Sequence, residues 1–212
     1  KTTTLKMLSG LLHPTAGSAS VLGFTPWELK PDYLMAMTLV MGQRNRMSWD
    51  IPAADSFLLN QAIYRLPDDE YHATLTELDE LLELGPIMKK PVRNLSLGER
   101  MKCELAAGLL HRPKVLFLDE PTIGLDITAQ ARIRAFLQEY NRRTGATILL
   151  TSHYMADVTA LCERILIIHQ GRLKYDGSLS GLSRRIAPYK LIGVALGDER
   201  DCDLGCYGQL VE

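Results

Sequence analysis

The chain has 212 residues, 46% hydrophobic, 23% charged and 7% aromatic, which is room for one sizeable domain or one domain with a subdomain. A formal net charge of −1 argues against a bulk polyanion such as nucleic acid as partner. No apolar run approaches the roughly 18 residues of a membrane span.

The chain opens on Lys1-Thr2-Thr3-Thr4-Leu5-Lys6, with no initiator methionine or signal-peptide pattern, and reads as the interior of a longer protein. Leu5, Leu8, Leu11 and Leu12 recur at helical spacing, predicting a helix over 2–12 that ends in His13-Pro14-Thr15-Ala16-Gly17. Short strands are expected over 19–22 and 37–41. From Arg44 to Arg93 helical periodicity takes over, with Phe57, Leu58 and Ala62 in one segment and Leu75, Leu78, Leu81 and Leu82 in an acidic second one. Pro52, Pro67 and Gly85-Pro86 punctuate them, so a helical subdomain of about 50 residues is expected inside a sheet protein.

The rhythm then alternates. Helices are expected over 98–110, 128–142 and 155–162, and strands over 115–118, 147–151 and 165–169. A turn at Gln170-Gly171 leads to a further strand over 172–175. Such alternation predicts an α/β fold, a mainly parallel sheet flanked by helices. Leu191 to Leu196 reads as one more strand. The four cysteines, Cys103, Cys162, Cys202 and Cys206, form no pairing framework and suit a reducing cytosol. Cys202 and Cys206 lack a common zinc spacing and are expected to be loop residues.

Three motifs carry chemistry, and each has a bland reading beside the functional one. Lys1-Thr2-Thr3 heads a helix, where a phosphate loop would place a lysine and a hydroxyl, but the same triplet also suits a solvated helix start. In Val115-Leu116-Phe117-Leu118-Asp119-Glu120, two carboxylates follow four apolar residues at a strand's C-terminal end. Ligands of open α/β sheets bind there, and the pair suits a metal-bound phosphate; a strand running into a solvated loop is the other reading. In Leu95-Ser96-Leu97-Gly98-Glu99-Arg100, Ser96 and Glu99 fit a capping box, and the same helix mouth fits an anion site.

Taken in order, Lys1-Thr2-Thr3, Gln43, the helical insertion, Leu95-Ser96-Leu97-Gly98-Glu99, Asp119-Glu120-Pro121-Thr122, Gly124-Leu125-Asp126 and Ser152-His153 resemble the nucleotide-binding domain of ABC ATPases, a P-loop NTPase-like fold. The resemblance runs to about residue 180. It implies ATP and Mg²⁺ as cofactors, with Lys1 and Thr3 on phosphates and Thr2, Gln43 and Asp119 at the metal. It further implies Glu120 as base, His153 as the switch histidine on the γ-phosphate, and Gln43 as the Q-loop link to the helical subdomain. Ser96 and Gly98 match the signature motif that binds ATP held by a second protomer, and Asp126 matches the D-loop aspartate at the dimer seam. Two positions depart from the usual signature: Leu97 stands where glycine is usual and Glu99 where glutamine is usual. The loop glycines and the adenine-stacking aromatic of the family find no counterpart here, so this stretch alone is expected to bind nucleotide poorly and to be inactive.

The implied organisation is a catalytic core over 1–43 and 95–177, a helical subdomain over 44–94 and a C-terminal extension over 178–212. A compact insertion without heptads matches transporter subunits, which act as dimers, here expected to be homodimers. Such subunits sit at the cytoplasmic face of the cell membrane on an integral membrane permease. The segments 44–52, 91–94 and 105–110 are similar to bacterial exporter ATPases for drug and sodium extrusion. Trp49 and Phe57 could meet a permease or fill the subdomain core. A soluble ABC-type ATPase in translation or DNA repair, or an idle regulatory ABC domain, is the alternative; intact Asp119, Glu120 and His153 weigh against idleness.

Overall fold

The computed structural model describes residues 1–42 and 46–186. Gln43, the expected strand over 191–196, Cys202 and Cys206 lie outside the described residues. Helices α1 (Thr2–Leu8) and α2 (Pro31–Ala36) precede strand β1 (Met37–Met41). Helices α3 (Ala53–Tyr64), α4 (Asp68–Leu82) and α5 (Leu97–Leu109) then lead to β2 (Val115–Asp119). Helix α6 (Ile127–Thr144) connects to β3 (Thr147–Thr151), and α7 (Met155–Leu161) to the strands β4 (Ile165–His169) and β5 (Arg172–Gly177), before α8 (Leu179–Ile186).

Strands β1, β2 and β3 form a parallel sheet in that order, in a register that aligns Met41, Asp119 and Thr151 at one end. Alternation along each strand sorts its side chains between two helical layers. Leu116 and Leu118 face a large core with Phe57, Leu78, Leu105 and Phe136, whereas Val115 and Phe117 face a smaller one with Leu5, Tyr33 and Leu39. Leu116 and Leu118 are fully buried, and each such side chain contributes about 2–3 kcal/mol of transfer free energy. Helix α5 can press on the sheet because it is small there: a Cβ on Gly108 would lie 3.1 Å from Thr38 Oγ1 and 3.3 Å from Val40 Cγ2. Thus β1 and β2 are buried on both faces while β3, at the edge, is only partly covered, and the strand ends are left to present polar groups.

Several sequence expectations need correction. No strand forms over 19–22. Val21 instead bridges Phe24 across a tight turn, because Leu22 and Gly23 both take left-handed backbone with φ of 53° and 82°. Helix α1 stops at Leu8 rather than Leu12, since Gly10 turns the chain at φ 82° and its missing Cβ would sit 2.4 Å from the Pro26 carbonyl oxygen. Strands β4 and β5 pair antiparallel as a separate two-stranded sheet. Phe57 is fully buried, while Trp49 is half exposed with the Arg100 guanidinium 5.6 Å from its ring.

Just after α5, His111 stacks flat on Tyr64 at 3.8 Å, and its Nε2 donates to the Met37 carbonyl at 3.2 Å. Its Nδ1 is buried without a partner among the described residues, so protonation there would create a buried charge. Burial accordingly pushes the imidazole down to about 4. Above the unfolded value of about 6.5 the ring is neutral in both states and costs nothing. As pH falls from there toward 4, the unfolded chain takes up a proton that the folded one refuses, so stability drops by about 3 kcal/mol across that window. His111→Gln should flatten this acid limb, measured as the difference in urea midpoints between pH 7 and pH 4.5.

Candidate functional site

The polar groups collect where the three parallel strands end, the place at which open α/β sheets bind ligands. Asp119, the last residue of β2, is only 9% exposed. Its Oδ1 accepts hydrogen bonds from the Thr2 hydroxyl at the head of α1 (3.0 Å) and from the Thr151 hydroxyl at the end of β3 (2.7 Å). Among the described residues no hydrogen bond or cation reaches its Oδ2. A buried carboxylate held only by hydroxyls leaves charge to be neutralised. A carboxylate beside hydroxyls is a hard-oxygen set that fits a Mg²⁺ carried in with phosphates.

Glu120 follows at φ 53°, an uncommon conformation for a residue with a side chain. Its backbone N–H donates to the Thr151 carbonyl at 3.0 Å, so the chain turns sharply over the end of β3. That turn aims the carboxylate at His153: Oε2 accepts the His153 backbone N–H and Oε1 meets the ring Nε2, both at 3.1 Å. Glu120 is largely covered, whereas the His153 side chain is 70% exposed. Lys1 Nζ donates to the Ser152 carbonyl at 3.3 Å, which brings the lysine to the same rim. Lys1, Thr2, Asp119, Glu120 and His153 therefore form one cluster. Thr3 is exposed on the first turn of α1 and makes no side-chain hydrogen bond among the described residues.

Gly42 carries a constraint that the sequence reading missed. Its N–H donates to the Asp119 carbonyl at 2.8 Å, and a Cβ there would fall 2.1 Å from the Glu120 carbonyl oxygen. Only glycine fits between β1 and the Glu120 turn. Beyond residues 43–45, the buried Glu104 of α5 accepts the backbone N–H groups of Arg46 (2.7 Å) and Met47 (3.2 Å). The two ends of the Gln43 segment are thus tied to β2 and to α5.

Ser96 and Gly98 stand apart from this cluster, at the start of α5. Ser96 is exposed and N-caps the helix in a complete capping box: its Oγ accepts the Glu99 N–H at 3.2 Å, and its own N–H donates to Glu99 Oε2 at 2.8 Å. The Ser96 backbone N–H holds the Glu99 carboxyl below the usual carboxylate range. Glu99 thus turns back onto the cap, where both the N–H and the hydroxyl of Ser96 stabilise its carboxylate. A Cβ on Gly98 would lie 3.0 Å from Ala129 Cβ, and one on Gly124 would lie 3.1 Å from Leu97 Cδ2. Leu97 therefore packs on the loop before α6 rather than crowding the helix mouth. Asp126 caps α6 through the Ala129 N–H at 2.8 Å, and its neighbour Ile127 is 83% exposed.

Sequence reasoning also missed Thr151, whose only advance signal was its place at the end of a strand, and the residues around Asp157 described below. Among the described residues no helix is long and apolar enough to cross a membrane.

Comparison with known proteins agrees with this fold. Residues 1–123 match the family described as ABC transporter. The chain is 32% identical over 182 residues to the ABC transporter ATP-binding protein NatA of Bacillus subtilis, covering 86% of this chain and 74% of that one. It is 33% identical over 208 residues to the Nod factor export ATP-binding protein I of Burkholderia lata, covering 96% of this chain and 62% of that one. Among solved structures, an ATP-binding subunit of an ABC transporter superposes with a TM-score of 0.76 at 27% identity, over 87% of this chain and 76% of that one. With matches in family, sequence and structure, the chain belongs to the ABC transporter family as an ATP-binding protein.

Proposed function

We propose that the intact protein hydrolyses ATP between two copies of itself and so drives a membrane permease at the cytoplasmic face of the cell membrane. The single observation that carries this reading is the convergence of Lys1, Thr2, Asp119, Glu120 and His153 on one strand-end cluster. In it, Lys1 and Thr3 bind the phosphates. Thr2, Asp119 and Gln43 hold a Mg²⁺ ion, which offsets phosphate charge when bound. Glu120 takes a proton from the attacking water as oxygen bonds to the γ-phosphorus and the bridge to ADP breaks. His153, steadied by Glu120, presents its exposed ring to the γ-phosphoryl.

Ser96 and Gly98 serve the nucleotide of the partner copy. Supporting this, Ser96 is exposed at a helix start, and the exposed Ile127 beside Asp126 offers apolar surface for a seam. Residues 44–94 form the helical subdomain that meets the permease. An export direction rests on the likeness to the Nod factor export protein. Phosphate release by the intact subunit tests the reading: turnover should require Mg²⁺ and fall to background on chelation. Undiminished turnover in excess chelator would count against the assignment of Asp119 and Thr2.

A further inference from the structure

Asp157, in the first turn of α7, is fully buried and takes no direct part in the cluster above. Its Oδ2 accepts two hydroxyls at once, Thr122 Oγ1 at 2.5 Å and Ser152 Oγ at 2.7 Å. Its Oδ1 accepts Arg134 Nη1 of α6 at 3.0 Å. Thr122, itself fully buried, lies two residues after Glu120, and Ser152 lies one residue before His153. The two loops that carry the proposed base and its histidine are therefore pinned to the same oxygen atom. Ser152 is committed further, since its Oγ accepts the Tyr154 N–H at 3.0 Å and its carbonyl accepts Lys1 Nζ at 3.3 Å.

A buried ion pair is weak evidence for stability, because desolvation offsets most of the attraction. What this one does fix is distance. The loops after β2 and β3 are separate stretches of chain, and the 3.1 Å contacts between Glu120 and His153 need them in register. We infer that Asp157 is a positioning residue that sets the Glu120–His153 geometry by holding Thr122 and Ser152 together, with Arg134 tying that register to α6. The inference rests on the reading of Glu120 and His153 given under Proposed function.

The test is Asp157→Asn in the intact protein. Asparagine keeps the volume but has one acceptor oxygen, so it cannot serve both hydroxyls and Arg134. The kcat for ATP should fall about 10- to 30-fold with KM unchanged within about twofold, since geometry and not binding is lost. Because Asp157 acts through the pair, Glu120→Gln/Asp157→Asn should be no slower than Glu120→Gln alone in single-turnover assays. A folded Asp157→Asn protein with kcat near wild type, or a double variant slowed by the product of both effects, overturns the inference. Should Asp157→Asn not melt cooperatively, Ser152→Ala and Thr122→Val each remove one tether, and wild-type kcat in both overturns it equally. Turnover surviving Glu120→Gln would instead sink the underlying assignment, whereas a dead Glu120→Gln beside a fully active Asp157→Asn sinks this inference alone.

Discussion

Replacing Glu120 by glutamine is expected to slow ATP turnover about 10²- to 10⁴-fold while leaving nucleotide binding in place. The substitution keeps the side chain's size and one acceptor oxygen. That oxygen can still take the His153 backbone N–H now held at 3.1 Å, so the loop should keep its path. What disappears is the capacity to accept a proton from water. Lys1, Thr2 and Asp119 are untouched, so affinity for ATP should change by no more than about threefold. Single-turnover phosphate release, read beside binding of a fluorescent nucleotide, separates the two effects. Turnover within about threefold of wild type would remove Glu120 from the role of base.

Gly42→Ala should be nearly as damaging, for a reason that lies in packing and not in chemistry. The added methyl would fall 2.1 Å from the Glu120 carbonyl oxygen and 3.0 Å from Ile123 Cγ2. A methyl has no rotamer that would relieve a clash with a backbone carbonyl. Glu120 already sits at φ 53°, so its backbone has little room to yield. The carboxylate must then shift relative to His153, and a displacement near 1 Å at a reacting group costs about 10²-fold in rate. Overpacking adds about 1–3 kcal/mol of destabilisation. Kinetics and thermal melting of the variant measure both. Wild-type kcat would mean that the Glu120 turn can absorb a methyl group, and that its strained backbone is not needed.

Much of the fold was legible because the central strand β2 is buried on both faces. Val115 to Leu118 could be read as a strand from an apolar run alone, and Asp119 and Glu120 as its C-terminal end from the abrupt change to acids. Helix α6, expected over 128–142, runs Ile127–Thr144, capped by Asp126 and ended by Gly145 in left-handed backbone at φ 65°. The failures are equally physical. Helix α2 was missed because Pro31 reads as a turn signal, although proline also suits a helix's first position. Leu11 and Leu12 continued a helical rhythm, but Gly10 breaks the chain and leaves them 58% and 40% exposed.

The candidate site divides along the same line. Asp119, Glu120, Ser96 and His153 could be picked out because residue type and order along the chain carry the motif. Gly42, Thr151, Asp157 and Arg134 could not, since their constraints arise from strand register and from loops brought together only in three dimensions. The capping box at Ser96 could be read as local structure or as an anion site, and the geometry accommodates both. Glu99 satisfies the Ser96 backbone N–H while Ser96 itself stays exposed at the helix mouth.

Whether two copies share each ATP is decided by the solution mass of the intact Glu120→Gln protein, measured by light scattering after gel filtration. With Mg²⁺ and ATP the mass should double, with ADP it should not, and adding Ser96→Arg should return it to that of a single copy while Lys1-side binding persists. A mass that ignores ATP, or a Ser96→Arg protein that pairs just as well, would contradict the sharing of nucleotide between the strand-end cluster of one copy and the Ser96 helix of the other.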